Sequence, residues 1–154
     1  YALFVGTIIY VWYDAYRKRH NPLGELHAIA QTIYLSVTVA FTWFFVWILK
    51  VGLAIPRPGH ILPSVNVLTN ATGNSFPSGH SALSMAIATA LFVYHPKSGK
   101  YAIMLALAIG VSRVYVGVHY PLDVAIGWAI GYFTAVWIHR IFSRGIDDTV
   151  KSAQ

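Results

Sequence analysis

A chain of 154 residues in which 56% of side chains are apolar, 15% aromatic and only 10% charged is too poor in charge for a soluble domain, where about 25% is usual, and reads as a single integral membrane domain, residues 1–154. The absence of cysteine excludes a disulfide framework, a thiolate nucleophile and a zinc–thiolate centre. The net charge of +6 comes from basic residues scattered between apolar segments, without the basic stripe and interleaved aromatics of a nucleic-acid binder, so no nucleic-acid partner is expected.

Residues 2–13 are apolar but short of the roughly 20 residues a bilayer-crossing helix needs, which predicts an interfacial segment or a span cut short at its start. The chain opens on Tyr1, and a missing N-terminal part is expected for that reason. Residues 14–25 form a polar basic loop around Arg17, Lys18 and Arg19. A full span is predicted from Leu26 to about Lys50, with Trp43 and Trp47 near its end, where amphipathic rings favour the membrane interface. The 27-residue stretch 51–77 is rich in Pro, Gly, Asn, Ser and Thr, and a loop of that length is usually functional. A helix is predicted over about 78–94, a short hairpin over 95–100, a further helix over about 101–116, and a last one from Pro121 to about Phe142, followed by a frayed polar tail, 143–154. The expected fold class is therefore all-α, a polytopic transmembrane helix bundle with four full spans and a partial fifth. Ala82, Ser84, Ala86, Ala88 and Ala90 on one helix, and Gly127 and Gly131 on another, are small residues that permit close helix packing.

Alternating helix direction brings the end of the first full span, the start of the second, the end of the third and the start of the fourth to one side of the membrane. Lys50, Arg57, His60, Ser78, His80, Arg113, His119 and Asp123 then share that side. Eight of the eleven Lys and Arg residues fall on the other side, namely Arg17, Lys18, Arg19, Lys97, Lys100, Arg140, Arg144 and Lys151. By the positive-inside rule that other side is cytoplasmic, and the special side faces outward.

Three permanent cations, Lys50, Arg57 and Arg113, against one carboxylate make a pocket for a multiply charged anion, and the planar guanidinium suits phosphate oxygens. Ser78 and Gly79 open a helix, where backbone amides and the positive dipole end add donors. His119 and Asp123 stand four apart on the first turn of the next helix, so the carboxylate can hold one ring nitrogen and leave the other available as nucleophile or base. His80 would serve as general acid toward a leaving oxygen. The two histidines with Asp123 could instead bind a metal, but three nearby cations oppose a divalent ion, and no metal or other cofactor is expected. His60 is read as a solvated loop histidine. His20, His27, His95 and His139 lie toward the other side and receive no catalytic role. Asn70-Ala71-Thr72 matches a glycosylation acceptor, a triplet frequent by chance.

Lys50, six residues, then Arg57-Pro58; Pro77-Ser78-Gly79-His80; and Ser112-Arg113, five residues, His119, three residues, Asp123 together resemble the three-part signature of the type 2 phosphatidic acid phosphatase superfamily. The resemblance covers about residues 45–130. It implies that His119 is the nucleophile that forms a phosphohistidine, that Asp123 orients it, that His80 protonates the leaving group, and that Lys50, Arg57, Ser78, Gly79 and Arg113 hold the phosphate oxygens without a metal. It also implies a lipid phosphate or diphosphate as partner in the membrane: an isoprenyl diphosphate such as undecaprenyl diphosphate, phosphatidylglycerophosphate, phosphatidic acid or lipid A phosphate, with an outward site favouring the first. A lipid phosphotransferase using the same intermediate, and an anion transporter using the same cations, are the competing readings.

Overall fold

The computed structural model describes residues 2–17, 22–62, 65–69 and 71–152, and for residues 2–4, 8, 15, 22–28 and 144–152 the backbone only. Among the described residues the structure is helical throughout: α1 (Ala2–Arg17), α2 (Pro22–Leu53), α3 (Pro58–Ile61), α4 (Gly79–Tyr94), α5 (Pro96–Tyr115) and α6 (Pro121–Ser152). Among the described residues two stretches, Ile29–Ile61 and Pro121–Ser143, are by length and composition apolar enough to cross a membrane, where four full spans had been expected. At 1.5 Å per residue, the 16 residues of α4 extend only about 24 Å. The 20 residues of α5 are long enough, but polar ends lower their hydropathy.

Three boundaries differ from the sequence reading. The predicted hairpin 95–100 is the first turn of α5, because Pro96 occupies the first helical position and the Gly99 amide closes the turn on the His95 carbonyl at 2.8 Å. The predicted tail continues α6 to Ser152, since no proline follows Pro121 to stop it. Of the predicted basic loop 14–25, residues 14–17 belong to α1, since the apolar segment 2–13 runs on as helix to Arg17, and residues 22–25 belong to α2, while residues 18–21 lie outside the described residues.

α4 lies at the centre, packed against α6, α5, α2 and α1. Lipid is as apolar as the helix faces, so close packing rather than the hydrophobic effect holds such helices together. Ala82, Ala86 and Ala88 of α4 are fully buried. A Cβ on Gly127 would stand 2.7 Å from the Ser78 carbonyl oxygen, and one on Gly131 would collide with the Ala82 carbonyl, so both glycines are required by the approach of two backbones. α5 and α6 are keyed by Trp128, whose indole fills the space left by Gly110 and donates to the Ala106 carbonyl at 3.2 Å. α2 is tied to α6 by the buried Tyr34 hydroxyl, which donates to the Ala135 carbonyl at 2.9 Å. The outward faces carry Trp43, Phe44, Trp47, Met104, Phe133 and Trp137, all exposed, a surface suited to a lipid environment.

Candidate active site

The C-terminus of α2, the N-terminus of α4, the C-terminus of α5 and the N-terminus of α6 meet at one end of the bundle, as alternation of helix direction requires. α2 ends with Ala54 at φ +47°, its amide bonded to the Lys50 carbonyl at 3.1 Å. The chain beyond it crosses the bundle end, and Arg57 caps the single turn α3 before Pro58. The Lys50 ammonium donates to the carbonyls of Asn74 at 2.7 Å and Ser75 at 3.1 Å, while the Asn74 amide returns a bond to the Lys50 carbonyl at 2.7 Å. Arg57 donates through all three nitrogens, to Gly73 O, Val118 O and Thr72 O, each at 3.0 Å. An ammonium has three N–H donors and a guanidinium five, so these bonds leave one on Lys50 and two on Arg57.

Ser78 is fully buried and caps α4, its hydroxyl accepting from the Ser81 amide at 3.4 Å. Its own amide, expected to serve an anion, instead donates to the Asp123 carbonyl at 3.0 Å and ties the start of α4 to the start of α6. A Cβ on Gly79 would meet Val46 Cγ1 at 3.7 Å and Lys50 Cε at 3.9 Å, ordinary contacts, so this glycine lies beside Lys50 without being sterically obligatory. His80, on the first turn of α4, is exposed. Arg113, in the last turn of α5, is half-buried, and among the described residues its guanidinium reaches only the neighbouring Ser112 hydroxyl, at 3.4 Å.

His119 lies in the short turn between α5 and α6, held at its start by Gly117 at φ +76°. It is 4% exposed and Asp123 3%. The His119 Nδ1–H donates to Asp123 Oδ2 at 3.3 Å. The same oxygen accepts the Tyr120 amide at 2.9 Å, the reciprocal bond of a capping box, so orienting the imidazole and capping α6 are done by one carboxylate. Burial, then the charges of Arg57 and Lys50, push the His119 pKa down from 6.5 to about 4, against the opposing pull of Asp123.

Sequence reasoning missed Ser75. It is fully buried and its hydroxyl donates to Asp123 Oδ2 and stands 3.4 Å from His119 Nδ1. Its signal in the sequence was a hydroxyl three residues before Ser78, at the head of the Ser75-Phe76-Pro77-Ser78-Gly79-His80 run that resembles the family. His60 is exposed on α3 and outside this cluster, as expected of a solvated loop histidine. Asn70 of the glycosylation triplet lies outside the described residues, while Thr72 is used by Arg57. Among the described residues no three His, Asp or Glu side chains converge as a metal set.

The chain is 42% identical over 83 residues, 53% of its length, to the Bacillus licheniformis bacitracin transport permease protein BcrC, of which the match covers 41%. It is 32% identical over 155 aligned positions, 93% of its length, to a lipid A 1-phosphatase of Rhizobium johnstonii, covering 63% of that protein. An undecaprenyl-diphosphatase of Sulfolobus acidocaldarius is 36% identical over 98 residues, 62% of this chain and 48% of that one. The chain thus spans about half the length of the curated relatives it matches. The crystal structure of Aquifex aeolicus LpxE superposes with a TM-score of 0.67 at 29% identity, covering 86% of this chain and 85% of that one. The profile of the PAP2 superfamily matches residues 31–147, which include all three parts of the signature and every residue of the cluster at this bundle end, and the chain belongs to that superfamily.

Proposed function

We propose that this protein is an integral membrane lipid phosphatase that removes a phosphate monoester or diphosphate headgroup through a phosphohistidine on His119. The observation that carries the reading is the buried His119–Asp123 pair set against Lys50 and Arg57 at one bundle end. With Nδ1 engaged by Asp123, Nε2 is the nitrogen that attacks phosphorus. The bond from phosphorus to the leaving oxygen breaks as the new P–N bond forms, and His80 gives that oxygen its proton. Water then attacks phosphorus, the P–N bond breaks, and the proton lost by water returns to His80. Lys50, Arg57 and Arg113, with the first amides of α4 at Gly79 and His80, hold the phosphate oxygens. Ser78 contributes by fixing α4 to α6.

A lipid is the substrate class because the rim of the site is apolar. Tyr115 and Leu122, 80% and 64% exposed, flank Arg113 and Asp123, and Ile61, Leu62, Val67 and Leu68 of the 51–77 segment stand exposed at the same end. An isoprenyl diphosphate is the favoured member, by analogy with the undecaprenyl-diphosphatase relative and with an extracytoplasmic site. The sidedness rests on the placement of Arg17, Lys97, Lys100 and Arg140 at the opposite end. The relative bearing the name of a transport permease supports a second reading, in which the same cations bind an anion without cleaving it.

Phosphate release from a panel of purified lipid phosphates and diphosphates tests both readings. Release from at least one lipid is expected, with His119→Ala losing at least roughly 10³-fold in turnover while still binding inorganic phosphate. Undiminished release by His119→Ala would remove the nucleophile assignment, and no release from any lipid would favour the binding protein.

A further inference from the structure

We infer that Ser75 is a positioning residue for this chemistry, setting both the orientation and the proton affinity of His119 through the Asp123 oxygen they share. The inference rests on the proposed function for its catalytic consequence, but its geometric basis is independent of it.

Asp123 Oδ2 receives three donors: the Ser75 hydroxyl, the Tyr120 amide at 2.9 Å and His119 Nδ1–H at 3.3 Å. A serine has one proton and, having donated it to the carboxylate, can use its oxygen lone pairs to accept. That oxygen lies 3.4 Å from His119 Nδ1, almost as close as the carboxylate. Nδ1–H is therefore shared between Oδ2 and the Ser75 oxygen, and neither acceptor permits the tautomer with the proton on Nε2. The three buried groups form a closed triangle.

Ser75 is itself fixed from outside the triangle. Its amide donates to the Ile55 carbonyl at 2.7 Å, and its carbonyl accepts from the Lys50 ammonium at 3.1 Å. The residue thus connects the end of α2 to the start of α6, and its side chain bonds Asp123 and stands within 3.4 Å of His119. A hydroxyl placed merely to satisfy its own polarity would need only one of these partners.

The electrostatic consequence has a definite direction. The charged groups around His119 are Lys50 from α2, Arg57 ahead of α3, and Asp123 from α6, with His80 of α4 and Arg113 of α5 at the same bundle end. Of these only Asp123 favours the imidazolium. Donation by Ser75 occupies part of the carboxylate's negative charge and so weakens its pull on the ring, an effect larger than the support its own neutral oxygen lends Nδ1–H at 3.4 Å. Removing the hydroxyl leaves Asp123 free to bond His119 more strongly, and His119 becomes more basic. A hydrogen bond to a charged group corresponds to about one pH unit.

Ser75→Ala is expected to lower kcat roughly 10–100-fold with KM little changed, since orientation is lost while phosphate binding is kept. It should also move the acid limb of kcat/KM upward by about one unit. Ser75→Cys, nearly isosteric with a weak donor, should fall between the two proteins in both respects. Histidine NMR titration in micelles, with His119 assigned by its disappearance in His119→Ala, reads the same shift without any turnover. Thermal melting of each variant separates loss of fold from loss of position. If the wild type releases phosphate but Ser75→Ala keeps its kcat and its acid limb, the inference is overturned and the function stands. If no lipid is cleaved the function fails, and the NMR titration still decides Ser75: an upward shift of His119 supports the coupling, and an unchanged one refutes it.

Discussion

At the scale of single residues, His119 is a buried base with two cations for neighbours. Burial and the charges of Arg57 and Lys50 hold its pKa near 4, so the ring is neutral throughout the physiological range, as the proposed nucleophile needs to be. The acid limb of kcat/KM should accordingly lie well below the 6.5 of an ordinary histidine, toward 4, and the alkaline limb should report loss of the His80 proton, giving a bell-shaped profile. An acid limb at or above 6.5 would mean that His119 is not the group that must be neutral, and activity still rising in alkali would count against His80 as acid. The same shift bears on stability. The folded chain binds this proton less tightly than the unfolded chain, so the contribution is favourable above pH about 6.5 and is lost as pH falls toward 4. Melting measured over that interval keeps the kinetic limb from being confused with unfolding.

At the scale of elements, the site depends on how closely α4 and α6 approach, because the Ser78 amide must reach the Asp123 carbonyl. Gly127 and Gly131 make that approach possible, and at Gly131 the obstacle to a side chain is the Ala82 backbone, which cannot rotate out of the way. Gly131→Ala should destabilise the protein by about 1–3 kcal/mol and reduce phosphate release with it, through helix separation. Gly6→Ala on α1, where a Cβ meets nothing within 4 Å, is the matched control and should leave both thermal melting and turnover unchanged. Equal tolerance of the two substitutions would show that backbone contact does not set the spacing of α4 and α6.

At the scale of the whole molecule, the candidate site occupies one end of a bundle whose lateral surface is apolar. The chain has no cysteine, so single cysteines report sidedness without background. His60→Cys and Lys97→Cys place labels at exposed positions at opposite ends. In intact cells an impermeant thiol reagent should modify the first and spare the second until the membrane is opened. The reverse pattern would put the site on the cytoplasmic side and remove the argument for an extracytoplasmic isoprenyl diphosphate.

Much of this was legible in the sequence because the relevant signals are local or periodic. Composition set the solvent. Apolar run lengths set the helices and, through their alternation, the end at which Lys50, Arg57, Ser78, His80, Arg113, His119 and Asp123 gather. The four-residue spacing of His119 and Asp123 placed them on one helical face. Helix ends were less legible, since a turn begun by Pro96 or a polar tail without proline has no apolar period to mark it. What only the tertiary structure decided was how the donors are spent. Lys50 and Arg57 are partly engaged by carbonyls of residues 72–75 and 118, the Ser78 amide is given to Asp123, and Ser75 becomes the third member of the His–Asp pair. Those bonds join residues from 15 to 61 positions apart through a loop with no regular period, and their geometry exists only once α2, α4 and α6 are packed together.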